Sequence, residues 1–251
     1  MIALIIALIF SGCRESHYEK GLIYLRQGRL KEAEEELKKE VRKSPSAEAL
    51  TALARVYKER REEALALVSL RKAIEMAPGS IDAYLLSAEI YLSRNQAELA
   101  AEMCAEAIRI DPNNAHALNI MGLAELLRGK LSEAEASFRK AIEADPRKAG
   151  IYLNLGKLYE ETGRYDEAER IYKRAVDAIP NSAQLRWSLA KLMLRSSKMS
   201  EAEDELLKVI EIKPFSAEEI VERWEKISEK EGGDVSKDFI YGDKLYEEVF
   251  D

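Results

Sequence analysis

Cysteine and histidine are almost missing from this chain, with two of each in 251 residues. Cys13 and Cys104 have no close neighbours of metal-ligand type, so no zinc site is expected. His17 and His116 stand far apart, and no Ser or Cys nucleophile sits at a strained turn. A glycine-rich loop that could cradle phosphate is also absent from the sequence. Positive charge is not in excess. The net charge is -7, which argues against a broad basic face for nucleic acid. Long apolar runs are lacking as well. Ile2 to Phe10 gives nine consecutive apolar residues, where a membrane-spanning helix takes ~20. These absences together point away from an enzyme and away from any bound cofactor. What is plentiful is Ala, Leu, Glu, Lys and Arg, with 34% of residues charged. That composition favours long helices over sheets.

Proline is scarce too, and its placement is regular. The six prolines are Pro45, Pro78, Pro112, Pro146, Pro180 and Pro214, spaced 33, 34, 34, 34 and 34 residues apart. A fixed period of this kind marks an array of equal units. Alignment on the prolines gives units 14–46, 47–80, 81–114, 115–148, 149–182 and 183–216, the first one residue short at its closing turn. Position 8 of each unit is small: Gly21, Ala54, Ala88, Gly122, Gly156 and Ala190. Position 20 is always alanine: Ala33, Ala66, Ala100, Ala134, Ala168 and Ala202. Position 27 holds Ala73, Ala107, Ala141 and Ala175, with Glu40 first and Val209 last. Large groups alternate with the small ones. Tyr24, Tyr57, Tyr91 and Tyr159 fill position 11, where Glu125 and Met193 replace the aromatic. Leu37, Leu70, Cys104, Phe138, Tyr172 and Leu206 fill position 24. Interlocking antiparallel helices need this small–large alternation. Ser132-Glu-Ala-Glu135 and Ser200-Glu-Ala-Glu203 read as capping boxes opening second helices. Gly129 and Gly163 supply turns before such helices, and each proline stops the helix ahead of it.

The period and these recurring positions resemble the tetratricopeptide repeat. The resemblance implies an all-α right-handed solenoid of six helix–turn–helix units, closed by a C-terminal capping helix. It also implies that first helices line a concave groove, with positions 2, 5, 9, 12 and 13 facing in. In this chain those positions include Leu22, Leu25, Leu85, Leu92, Leu123, Leu126, Leu127, Leu153, Trp187 and Leu194. Such a row suits a protein or peptide partner with an apolar or amphipathic segment. Trp187 lies one place from the family's core tryptophan, which leaves a structural role open as well. Lys157, Lys191 and Arg195 are expected near the carboxyl end of the groove, where they could take a ligand carboxylate. Arg55 and Lys58 stand beside Glu59, Glu89 and Asp82, so a terminal-carboxylate clamp of the kind found in some cytosolic relatives is not expected there.

At the amino terminus, nine apolar residues fit the core of a secretory signal. Phe10-Ser11-Gly12-Cys13 resembles the bacterial lipobox, although Phe10 stands where Leu is usual and no Lys or Arg precedes the run. The resemblance implies a signal peptide over residues 1–12 and lipidation of Cys13, with the acyl chains holding the protein to a membrane. Six such repeats directly behind a lipidated cysteine resemble the pilotin lipoproteins of type IV pilus biogenesis, which bring the secretin channel to the outer membrane. The expectation is a periplasm-facing lipoprotein of the bacterial cell envelope. The outer membrane is favoured over the inner because Arg14 is not the aspartate that retains some lipoproteins. Two other roles stay open: an adaptor recruiting envelope hydrolases, and a structural subunit of a large membrane or electron-transfer complex.

After Pro214 the rhythm fails, since a seventh unit would place Trp224 at the small position 8. Residues 217–233 read as a capping helix ended by Gly232-Gly233. Residues 234–251 carry six acidic and two basic residues, together with Phe239, Ile240, Tyr241, Leu245, Tyr246, Val249 and Phe250. Tyr241, Leu245 and Val249 recur every fourth residue, as one helix face would. This segment is expected to pack on its own superhelix or to dock on a partner.

Overall fold

The structure is a computed structural model that describes residues 16–212. The expected signal peptide, Cys13, the capping helix over 217–233 and the segment 234–251 lie outside the described residues. Within them the chain is all-helical, with twelve helices and no strand. The helices are α1 (His17–Arg26), α2 (Leu30–Lys43), α3 (Ala47–Glu59), α4 (Glu63–Met76), α5 (Ile81–Ser93) and α6 (Ala97–Ile110), then α7 (Ala115–Leu127), α8 (Leu131–Ala144), α9 (Ala149–Glu161), α10 (Tyr165–Ala178), α11 (Ala183–Arg195) and α12 (Met199–Ile212). Each proline-framed unit holds two of them. The chain forms two compact units, divided between Ala134 and Glu135 inside α8.

The small residues do what close helix packing demands of them. All six position-20 alanines are completely buried, as are the four position-27 alanines. The position-8 glycines are tighter still. A Cβ built on Gly21 would stand 2.5 Å from Leu37 Cγ, and one on Gly156 would stand 2.2 Å from Tyr172 Cε1. The large residue at position 24 therefore fills the space that glycine leaves at position 8 of the same unit. Leu37, Leu70, Cys104 and Phe138 are fully buried in this role. Each such aliphatic or aromatic side chain stabilises by about 1.5–3 kcal/mol through burial.

The turn between first and second helix is one device used six times. Position 15 takes a left-handed conformation in every unit, with φ from 57° to 73° at Gly28, Arg61, Asn95, Gly129, Gly163 and Ser197. Paired hydrogen bonds close it. In the first unit the Gly28 N–H donates to the Leu25 carbonyl, and the Arg29 N–H to the Tyr24 carbonyl. The same pair recurs in the other five units. This is the Schellman end of a helix, which satisfies carbonyls that would otherwise be orphaned. Three of the six positions carry a side chain there, so only half follow the glycine signal.

The closing turns are governed by proline. Ala77, Asp111 and Ile179, each just before a proline, have φ between -131° and -138° and ψ between 71° and 96°. Proline excludes the helical region for its predecessor, and the second helix stops.

The capping boxes expected at Ser132 and Ser200 do not form in that sense, because α8 starts at Leu131 and α12 at Met199. Both serines lie inside the first turn. Side-chain caps are found on first helices instead. Ser46, Asn114 and Ser182 accept from the N–H groups of Ala49, Ala117 and Leu185. Ser16 and Glu19 form a full capping box ahead of α1. The second helices α2, α4, α6 and α10 begin straight out of the left-handed turn and have no side-chain cap.

Candidate peptide-binding face

In the amino-terminal unit, α1, α3 and α5 are successive first helices, and two recesses lie along them. One, of about 370 Å³, is lined by Tyr18, Leu22, Leu25, Thr51, Arg55 and Asp82, among others. The second, of about 380 Å³, also takes in Leu25 and Arg55 and continues to Lys58, Leu86 and Glu89. The shared residues make them one continuous run. Tyr18, Leu22 and Leu25 are half-buried and pack on the core beneath, so they form an apolar floor.

Charges on this face are matched. Arg55 reaches Asp82 at 3.8 Å. Lys58 donates to Glu89 at 2.5 Å, and His116 Nε2 donates to the other Glu89 oxygen at 2.9 Å. The carboxylate can only accept, so the His116 proton belongs on Nε2 here. The His116 hydrogen bond, followed by that of Lys58, overcomes burial and pulls the Glu89 carboxyl down to about 2. Arg55 and Lys58 are therefore neutralised, and the face offers no isolated cation pair for a terminal carboxylate.

One residue of the expected leucine row is buried and most of the others are half-buried. Leu85 is buried, and Leu22, Leu25, Leu92, Leu123 and Leu126 are half-buried. Leu127 is open, at 52% exposure. In the carboxyl-terminal unit Leu153, Trp187 and Leu194 are half-buried. Lys157 is exposed and reaches Glu161 at 4.0 Å. Arg195 stacks over the Tyr165 ring at 4.8 Å, donates to its hydroxyl at 2.9 Å and lies 3.8 Å from Glu160. Lys191 is half-buried and also has a partner. Lys157 and Arg195 thus end on separate partners rather than converging on one anion.

Sequence reasoning passed over Tyr18 and Thr51. Both occupy position 5 of their units, one of the inward positions, so the repeat frame alone would have found them. His17 Nδ1 is hydrogen-bonded to the Glu36 carboxylate at 2.7 Å, across to the second helix of its own unit. Cys104 is fully buried, and burial, with Glu89 adding to it, pushes its thiol up to about 12. Such a thiol is inert. Among the described residues no group of three His, Cys, Asp or Glu could hold a metal ion, and no helix is long and apolar enough to cross a membrane.

The family described as the cilia and flagella-associated protein 70 C-terminal domain, a tetratricopeptide-repeat family, matches residues 14–226. This chain is a tetratricopeptide-repeat protein. Solved tetratricopeptide structures resemble it over most of its length. TTC0263 of Thermus thermophilus is 25% identical, with a TM-score of 0.60 over 71% of this chain and 97% of that one. PilF of Pseudomonas aeruginosa is 22% identical, with a TM-score of 0.67 over 82% and 94%. A tetratricopeptide repeat protein of Parabacteroides merdae is 24% identical, with a TM-score of 0.65 over 94% and 92%. No curated protein matches the chain in sequence. Tetratricopeptide-repeat proteins mediate interactions between proteins.

Proposed function

We propose that this tetratricopeptide-repeat protein is a membrane-anchored scaffold or assembly factor of the bacterial envelope, holding a partner segment on its first-helix face. The carrying observation is the run of two recesses joined through Leu25 and Arg55, floored by Tyr18, Leu22 and Leu25 and edged by matched charges. That chemistry fits an amphipathic segment, whose apolar side covers the floor while its polar side meets both signs of charge. The lipobox-like Phe10 to Cys13 supports an anchor at Cys13. The resemblance of this arrangement to pilotin lipoproteins supports secretin and type IV pilus assembly as the process served. Lipid would fix the location, and the recesses would shield an apolar segment of an unassembled subunit.

The test places a photo-crosslinking residue at Arg55, and separately at Lys140 on a second helix, in cells that make the protein. A partner caught at Arg55 and not at Lys140 is the expected result. Capture only at Lys140 would overturn the first-helix face as the binding surface. Cys13→Ala is expected to leave the protein soluble or unprocessed, whereas a processed variant still held at the membrane would refute the anchor.

A further inference from the structure

The charges on the first-helix face of the amino-terminal unit divide into those the chain already engages and those it leaves open. The two recesses are lined by three cations, Arg26, Arg55 and Lys58, and by four carboxylates, Glu48, Glu59, Asp82 and Glu89. Lys58 is engaged by Glu89, whose other oxygen holds His116. Arg55 meets Asp82 only at 3.8 Å, beyond hydrogen-bond reach. Asp82 is the more open member of that pair, with 74% of its side chain exposed against 49% for Arg55. Arg26, Glu48 and Glu59 are exposed, and among the described residues none of them has an ion-pair partner. The first recess therefore keeps Glu48 and Arg26, together with the open carboxylate of Asp82. The second keeps Glu59 and no unmatched cation.

The uncharged lining favours the same sign of partner. Tyr18 lines the first recess, and the face of an aromatic ring attracts a cation. The floor of Leu22 and Leu25 can take the methylene stems of Lys or Arg, whose heads then reach carboxylates at the rim. Asp and Glu have no comparable stem. An acidic segment would face Glu48, Glu59 and Asp82, with Arg26 as the one unmatched cation among the described lining residues.

We propose that the segment held on this face is basic and amphipathic, with its apolar side chains on Leu22 and Leu25 and its Lys or Arg heads at Glu48, Glu59 and Asp82. This rests on the first-helix reading above and adds the sign of the partner's charge.

The test titrates the full chain with two synthetic helical peptides, one with Leu and Lys on opposite faces and one with Glu in place of every Lys. The Leu/Lys peptide is expected to bind more tightly. A photo-crosslinking residue at Arg55 is expected to catch it, and one at Lys140 is not. Glu48→Gln with Glu59→Gln is expected to weaken its binding about fivefold. Glu75→Gln with Glu143→Gln removes the same charge from second helices and is expected to leave binding unchanged. Glu48→Lys with Glu59→Lys is expected to turn the preference toward the Leu/Glu peptide. All four carboxylates are exposed, so folding is not at stake, and urea unfolding of each variant checks this. Equal losses in the two Gln pairs would overturn the proposal, since attraction to net charge alone would explain them. A Leu/Glu peptide that binds the native chain as tightly and is caught at Arg55 would overturn the basic partner and leave the first-helix face standing. Capture of neither peptide at Arg55 would overturn both.

Discussion

Gly156→Ala is a sensitive probe of how first and second helices lock together. Within α9 the change gains about 1 kcal/mol of helix propensity. The new methyl, however, would sit 2.2 Å from Tyr172 Cε1 and 2.3 Å from Cζ. The ring cannot swing away cheaply. It is 2% exposed, and its hydroxyl donates to Glu160 at 2.7 Å. Forcing a methyl into such a space costs about 1–3 kcal/mol. Losing the hydrogen bond to a carboxylate adds about 1.5–3 kcal/mol if the ring moves. The net expectation is a loss of about 2 kcal/mol, or about 4–8 °C in melting temperature. Tyr172→Leu removes the obstacle and recreates the pairing of Ala54 with Leu70 in the second unit. In that background Gly156→Ala should be neutral or stabilising, so a double-mutant cycle should return a coupling of about 2–3 kcal/mol. Urea unfolding followed by circular dichroism measures all four corners. A stabilising Gly156→Ala in the native background, or a coupling near zero, would refute the argument that glycine there is a packing requirement.

Two further outcomes are expected. Arg61 holds φ 61° in a turn whose equivalents in three units are glycine, so Arg61→Gly should raise stability by about 0.5–1 kcal/mol in urea unfolding, while Gly163→Val should lower it. Glu89 titrates near 2 in the folded chain against 4.5 ordinarily, so its contribution is present above pH 4.5 and is lost as the pH falls toward 2. Glu89→Gln should therefore flatten the acid limb of the stability profile, by at most about 3 kcal/mol.

The architecture was legible because packing constraints repeat. One proline and two small residues per unit recur at fixed offsets, and the position-20 alanines, from Ala33 to Ala202, are buried without exception. Local backbone chemistry was less legible. Arg61, Asn95 and Ser197 take the same left-handed turn as Gly129 and Gly163, since two backbone hydrogen bonds over-determine the conformation whatever the side chain. Ser132 and Ser200 look like caps, but the preceding turn already fixes where the second helix begins, one residue earlier. The candidate face was legible in its frame and not in its emphasis. Leucines drew attention, yet Leu85 is used up in the core, and the surface is made as much by Tyr18, Thr51 and the Lys58–Glu89–His116 chain. Sequence spacing names which side chains face inward, whereas depth depends on how neighbouring helices close over them.

Ion pairs also run from one repeat to the next. Glu34 pairs with Arg60, Glu135 with Arg164 at 2.6 Å, and Glu169 with Lys198 at 2.6 Å. In each case a carboxylate early in a second helix meets a cation at the turn of the following unit. The unit 149–182 is thus a cassette, with Glu169 as the acceptor for its successor and Arg164 as the donor to its predecessor. Duplicating residues 149–182 in tandem would set the copied Arg164 against Glu169 of the original, at the place where Lys198 now sits. A chain wired this way can lengthen by whole cassettes, because the cation at the turn of each added copy meets the carboxylate of the copy before it.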